Sequence, residues 1–369
     1  MSRRLRIVEI TPTLGVGGAE RVVVHLARHL DRAQFEVSVV SLYDRLGTHL
    51  ERELDAEGVP TAYLGKARGF DARMYSRLWS TFRRLKPDVV HTHNNSLRYV
   101  YPLRVLGAAP RIVHTVHNLA EHEVDAPGRL LQRVAFRYGV EPVAIGEAVA
   151  TSIQRLYGLR PRWSIPNGIP VEHYRRSGDV RERTRDALSI SPDARVVISV
   201  ARFSRQKNTQ ALIEAFASSG LPAKGGHLLL VGDGAERSAL ELAVQRLGLG
   251  PKVRFLGVRS DVPDLLAAAD IFAISSSWEG NPLSVLEAMS AGLPVLAFSV
   301  GCLPELVTAD CGILVPGSSS EGLGAALKRM VESPSMLPTL AAGALRRAHE
   351  HFDVRVMSAA YERVFRESL

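Results

Sequence analysis

The sequence predicts an α/β protein of two domains, each a Rossmann-like, doubly wound parallel sheet. Three observations lead there. Short apolar, often β-branched runs alternate with longer amphipathic stretches, the βαβ rhythm that lays strands parallel. At 369 residues the chain is long for one hydrophobic core. Near its middle the Pro- and Gly-rich run Ser164-Ile-Pro-Asn-Gly-Ile-Pro170 breaks the rhythm and reads as a connector. The expected domains are residues 1–168 and 169–353, followed by a terminal amphipathic helix over 354–369.

Taken in order, Leu5–Thr11 reads as a strand, residues 18–30 as a helix and residues 35–42 as a strand. Between Lys66 and Lys86 basic charge concentrates. There Met74, Tyr75, Leu78, Trp79, Phe82 and Leu85 recur at helical spacing, with Arg73, Arg77, Arg83 and Arg84 between them. Such a helix either covers the sheet with its arginines in water or lies on an anionic membrane. Strands at Val89–His93 and 112–117 follow, then the charged run AEHEVDAPGRLLQR, a helical run to Tyr138, and a strand at 143–145 that enters a helix at Glu147. The charged residues 172–185 extend the connector. The second sheet is expected from Val196–Val200, His227–Val231, 253–256, 271–275, Val295–Phe298 and 313–315.

Bulk composition narrows the class. Hydrophobic content of 46% and charged content of 23% are those of a globular protein. No apolar run reaches the length of a membrane span, and no apolar leader follows Ser2-Arg3-Arg4. Cys302 and Cys311 fit no metal or redox spacing and read as packing residues, so a cytoplasmic location is expected, at most peripheral on the cytosolic membrane face. The net charge of +8 suits a phosphorylated substrate or an anionic membrane; no nucleic-acid-binding motif accompanies it.

The chemistry concentrates in SSSWEGNPLSVLEAMSAGLPVLA. The strand before it ends in small polar residues, Gly280 turns the chain, and Asn281 and Pro282 suit the N-cap and first position of a helix that Gly292 and Pro294 stop. Glu279 then lies at a strand's C-terminal end, where open α/β sheets bind ligands, and Glu287 about one and a half helical turns in. Free N–H groups at that helix start suit an anion; the carboxylates suit sugar hydroxyls. Arg202 and Lys207, just past another strand, can clamp a diphosphate as fork and point charge, with Arg205 between them ranked behind. Gly15-Val16-Gly17-Gly18-Ala19-Glu20 joins strand to helix and is either a phosphate-facing loop or a tight turn. His91, His93, His114 and His117 end two neighbouring strands. They raise a metal site as an alternative, but no cysteine and no close acidic run completes the set. No Asp-x-Asp occurs, so cations and helix N-termini are expected in place of an essential metal or other cofactor.

The EGNPLSVLEAM segment, with its E-x7-E spacing and the AMSAGLPV after it, resembles the retaining glycosyltransferases of family 4, the two-Rossmann-domain GT-B type. The resemblance runs from the GGAE loop to the VPGSS after Ile313 and is most specific over 255–317. It implies two domains facing a central cleft, with the 354–369 helix packed back on the first. It implies that Glu287 takes ribose hydroxyls, while Glu279 and the N–H groups of Gly280, Asn281 and Leu283 reach the donor sugar. Arg202 and Lys207 would hold the diphosphate, with Gly17 and Gly18 facing it. Gly232, in Gly232-Asp233-Gly234, would lie on the nucleotide side, and Val258 and Arg259 would read the base. His117, in Thr115-Val116-His117-Asn118, would contact the donor sugar; His91, His93 and Asn118 would be structural or face the acceptor. The implied reaction retains anomeric configuration, by front-face substitution, and moves a hexosyl or N-acetylhexosaminyl group from a nucleotide sugar to an acceptor hydroxyl. UDP is the expected nucleotide, with GDP-mannose left open. An epimerase or hydrolase on the same fold, or a non-catalytic nucleotide-sugar-binding scaffold, are the alternatives.

Overall fold

The computed structural model describes residues 3–107, 109–333 and 335–367. The chain divides into two compact units, Met1–Gly168 with Val354–Leu369, and Ile169–Asp353.

The first unit carries strands β1 (Leu5–Thr11), β2 (Phe35–Ser41), β3 (Thr61–Tyr63), β4 (Val89–His93), β5 (Arg111–Val116), β6 (Val140–Ala144) and β7 (Trp163–Ser164). They form one parallel sheet in the order β3-β2-β1-β4-β5-β6-β7. The second unit carries β8 (Val196–Val200), β9 (His227–Val231), β10 (Val253–Gly257), β11 (Ile271–Ile274), β12 (Val295–Phe298) and β13 (Gly312–Val315), in the order β10-β9-β8-β11-β12-β13 and again parallel. Central strands such as β4 and β11 are buried along their whole length; β11 reads as an unbroken apolar run, whereas β4 carries the polar side chains of His91, Thr92 and His93 into the interior. Winding reverses between β1 and β4 in one sheet and between β8 and β11 in the other. At each reversal the loops diverge at the strands' C-terminal ends and leave a crevice.

Several local expectations change. The edge strands β3 and β7 have three and two residues, too few to show a period. The charged stretch 172–185 is more than a connector. It forms the turn Val171–Tyr174 and the helix Gly178–Ala187, and Arg185 is buried, bonded to Asp270 at 3.0 Å and to the carbonyls of Ala268, Pro192 and Ala194. The helix after Glu279 spans Leu283–Ser290, with Pro282 at the cap position; Asn281 lies one residue outside and makes no cap. The AEHEV run splits into helices Ala120–Glu123 and Ala126–Ala135, the second capped by Asp125 accepting from the Gly128 N–H at 3.0 Å.

The basic segment becomes a helix over Arg73–Leu85 only. Met74, Leu78 and Phe82 are buried inside the first unit, so its apolar stripe is already covered, and Arg73, Ser76, Trp79, Ser80, Arg83 and Arg84 face out. Lys66 is not helical; its ammonium donates to Tyr43 Oη at 3.0 Å and to the Ala67 carbonyl at 2.9 Å. The terminal helix, Val354–Glu367, belongs to the first unit through Met357, Tyr361, Val364 and Phe365; residues 368–369 of the expected 354–369 lie outside the described residues. Among the described residues, no helix is long and apolar enough to cross a membrane.

Candidate active site

At the reversal of the second sheet, the chain after β8 is tied to the chain after β11. The Ser277 N–H donates to the Gln206 carbonyl (2.8 Å), Gln206 Nε2 to the Trp278 carbonyl (2.9 Å) and Ser275 Oγ to the Asn208 carbonyl (2.8 Å). These bonds bring together two side chains 72 residues apart: Lys207 Nζ lies 2.6 Å from Glu279 Oε1. Ser276 Oγ donates to the same oxygen at 2.5 Å. Glu279 is 3% exposed, so its charge sits in a sheltered place with one cation beside it. Gly301 backs the loop: at φ 54° a Cβ there would come 1.9 Å from the Glu279 carbonyl oxygen.

Arg202 is placed by its neighbour. Gly232 holds φ 132°, and a Cβ on it would meet the Ala201 carbonyl oxygen at 2.0 Å. The turn 232–234 therefore lies flat on 201–203, with the Phe203 N–H donating to the Asp233 carbonyl at 2.9 Å, and Arg202 is exposed beside it. The Gly232 N–H also donates to the Gly257 carbonyl at 2.8 Å, which joins the end of β10 to the same edge. Beyond it Val258 is exposed, whereas the Arg259 guanidinium is committed to Asp261 through contacts of 2.7 and 2.5 Å. Glu287, on the second turn of its helix, is buried and accepts from Tyr174 Oη at 3.0 Å. Tyr174 was not singled out in the sequence; it comes from the segment taken there as linker.

The first unit holds a second cluster. After β1, Gly17 is extended and Gly18 opens the helix Gly18–His29. In the parallel register Glu9 lies beside His91, and it supplies the acid that strand-end spacing of the histidines did not reveal. Glu9, His91 and His93 offer metal-ligand atoms within 4.8 Å of one another, yet their ring nitrogens are engaged otherwise. His91 bonds Glu9 (3.1 Å) and Thr115 (2.8 Å); His93 bonds Glu9 (2.8 Å) and His117 (2.8 Å). Both are fully enclosed, which removes them from any acceptor-facing role and leaves the structural one. His114 is also core, bonded to Thr92 and Gln132. Only His117 reaches the edge, half-buried, with Asn118 next to it. Asn118 Oδ1 accepts from the Leu119 N–H at 2.9 Å.

The electrostatics follow from burial. Burial works to raise the Glu9 carboxyl, but the two imidazoles bonded to it hold it at about 2. Burial lowers His93 to about 4 and His114 to about 3, and burial with His93 nearby keeps His117 well below the usual range. Glu123, also unforeseen, accepts from the His117 N–H at 3.2 Å; burial pushes it up to about 7 against the backbone N–H groups of His117 and Asn118. Beyond β1, β2 and β4 the first unit has a hollow of about 300 Å³ lined by Pro12, Tyr43, Lys66, Phe70, Arg98 and Tyr99, with the Phe70 and Tyr99 rings stacked at 6.0 Å.

Residues 16–173 match the family described as Glycosyltransferase Family 4, and residues 180–346 match Glycosyl transferases group 1. The chain belongs to glycosyltransferase family 4. As a family-4 glycosyltransferase, it moves a sugar from a nucleotide sugar. It is 28% identical over 310 residues to the UDP-Gal:α-D-GlcNAc-diphosphoundecaprenol α-1,3-galactosyltransferase of Escherichia coli, covering 79% of this chain and 78% of that one. It is 25% identical over 309 residues to the N-acetyl-α-D-glucosaminyl L-malate synthase of Bacillus anthracis, covering 81% and 80%. In fold it is similar to Anabaena HepE in complex with UDP-glucose, with a TM-score of 0.86, 24% identity and coverage of 99% and 100%. The enzyme thus has the two-Rossmann architecture of these glycosyltransferases.

Proposed function

We propose that this family-4 glycosyltransferase transfers a hexosyl or N-acetylhexosaminyl group from a UDP-sugar to an acceptor hydroxyl, with retention, in polysaccharide, glycolipid or small-molecule glycoside assembly. The observation that carries the reading is the Lys207–Glu279 pair at the second sheet's reversal, with Arg202 and Glu287 on the same unit. Glu287 takes the ribose hydroxyls, as a buried carboxylate that only accepts. Arg202 and Lys207 stabilise the departing diphosphate, and Glu279 with the N–H groups of Gly280, Asn281 and Leu283 orients the sugar. Val258 and its backbone lie on the base side. UDP is supported by the galactosyltransferase relative, whose name carries UDP-Gal, and by the HepE complex with UDP-glucose.

In the first unit His117 contacts the transferred sugar, the Gly17-Gly18 loop faces the phosphates, and the aromatic hollow with Asn118 serves the acceptor. The bond from C1 to the diphosphate oxygen breaks as the acceptor oxygen bonds C1 on the same face, and the acceptor's proton passes to the leaving phosphate. Glu123 is turned to the backbone, where it accepts from the His117 N–H at 3.2 Å, and it is given no covalent part in this scheme. No metal is required in this scheme, because Arg202 and Lys207 supply the charge.

Calorimetry with UDP, GDP and their sugars, in chelator, on wild type and Glu287→Ala tests it. Selective UDP or UDP-sugar binding, lost in the variant, is the expected result. A preference for GDP would move the donor to mannose, and no binding at all would end the donor-site reading. Turnover of the bound donor that stops in chelator would end the metal-free one, and a product of inverted configuration the retaining one.

A further inference from the structure

A single hydrogen-bonded chain runs through the first sheet. His117 Nε2 meets His93 Nδ1 at 2.8 Å, His93 Nε2 meets Glu9 Oε2 at 2.8 Å, and Glu9 Oε1 meets His91 Nδ1 at 3.1 Å. Beyond it, His91 Nε2 meets Thr115 Oγ1 at 2.8 Å and Thr115 meets Tyr361 Oη at 2.8 Å. Glu9, His91, His93 and Thr115 are wholly enclosed, so water does not compete for these bonds. Of the four histidine and carboxylate members, only His117 reaches the edge.

The chemistry at the centre sets the hydrogens on the side of the chain that reaches the edge. A carboxylate only accepts, so His91 Nδ1 and His93 Nε2 must each carry a hydrogen. A neutral His93 then has a bare Nδ1, which accepts from the His117 Nε2–H. His117 is left with a bare Nδ1 as its remaining ring acceptor. On the far side Thr115 Oγ1 bridges His91 Nε2 and the Tyr361 hydroxyl. Burial keeps His93 neutral at physiological pH, lowering it to about 4.

We propose that Glu9 is a positioning residue for glycosyl transfer, fixing His117 through His93 in the tautomer whose Nδ1 accepts a hydrogen bond from a hydroxyl of the transferred sugar. The proposal rests on the reading of His117 as a contact to that sugar. As the bond to the diphosphate breaks, positive charge develops on the sugar ring. A lone pair backed by a buried carboxylate favours that charge, whereas an N–H at the same place opposes it. A wrong imidazole tautomer is a known way to lose catalysis while geometry is kept.

The test is the ring-nitrogen spectrum of the full-length enzyme labelled with 15N-histidine, with His117 assigned by comparison with His117→Gln. Wild type is expected to show a bare Nδ1 and a protonated Nε2 at His117. Glu9→Leu leaves His93 nothing to donate to, so both assignments should reverse. With that reversal kcat should fall about tenfold or more, a part of what a directly acting group supplies, while the donor KM stays near its wild-type value. Glu9→Gln keeps an acceptor oxygen and should restore the tautomer in part. Thr115→Val, on the far side of Glu9, should leave His117 as it is. A wild-type His117 with a protonated Nδ1 overturns the proposal even if Glu9→Leu does not fold. So does a Glu9→Leu enzyme with unchanged tautomer and kcat, or one equivalent of transition metal found in the purified protein, because the ring nitrogens would then be ligands. Full kcat in His117→Ala would instead sink the sugar-contact reading while leaving the tautomer result standing.

Discussion

In the proposed donor site Lys207 has two anions to serve, Glu279 in the protein, 2.6 Å away, and the diphosphate of the donor. Its removal has a double effect that removal of Arg202 lacks. Glu279 is buried, and without the ammonium at 2.6 Å its charge is left with Ser276 alone. Lys207→Ala is therefore expected to cost about 1–3 kcal/mol of stability as well as donor affinity. Arg202 is exposed, so Arg202→Ala should weaken donor binding with Tm unchanged. Thermal unfolding and calorimetry on both variants separate the cases; equal Tm losses would contradict the placement. Glu123 makes the second residue-scale prediction. Its carboxyl titrates near 7 when folded against a usual 4.5, so the folded state holds its proton over that window and stability falls as pH rises through it. Glu123→Gln should raise Tm more at pH 8 than at pH 5.5. The individual donor-site candidates were legible because strand ends and helix starts are local features. Glu9 was not used, although an acid inside the apolar run Leu5–Thr11 was a visible anomaly, because its partners sit on another strand.

At the level of elements, the Arg73–Leu85 helix separates two readings that periodicity could not. A covering helix and a membrane-surface helix need the same apolar stripe; only packing shows that Met74, Leu78 and Phe82 are already used. What remains outward is Arg73, Arg83 and Arg84, two serines and Trp79, so any binding to anionic vesicles should be mainly electrostatic. Co-sedimentation is expected to be weak and abolished by high salt, and Arg83→Ser with Arg84→Ser should remove it. Binding that survives salt would mean that the helix turns its stripe outward. Residues 171–187 show the opposite error. Charge made them look like linker, yet Arg185 satisfies the Ala268 carbonyl that ends a helix and the loop carbonyls of Pro192 and Ala194, and Tyr174 reaches Glu287. Composition reports the average environment of a segment and is blind to one buried cation with a full set of acceptors.

The whole molecule should be acid-sensitive for a traceable reason. His93 and His114 stay neutral when folded, titrating near 4 and 3 against a usual 6.5. Below 6.5 the unfolded chain binds protons that the folded one refuses, so stability falls as pH drops from about 6.5 towards 4. Glu9, held near 2, adds a further loss between about 4.5 and 2. Glu123 acts with the opposite sign, so the two histidines outweigh it and Glu123→Gln should steepen the acid loss. A Tm that stays flat between pH 6.5 and 4.5 would contradict the neutral buried histidines.

The sequence by itself determined the two parallel sheets and most strand positions, and it singled out Arg202, Lys207, Glu279 and Glu287 as donor-side candidates. Alternation of apolar runs, caps and Gly/Pro punctuation are local, and in an open α/β sheet strand ends mark the binding edge. Only the tertiary structure decided which of those groups meet. Lys207 and Glu279 are 72 residues apart, Tyr174 and Glu287 are 113 apart, and Glu9 and His93 are 84 apart. Such pairs depend on strand order and register, which no local pattern contains, and it is they that give the side chains their charge and tautomeric state.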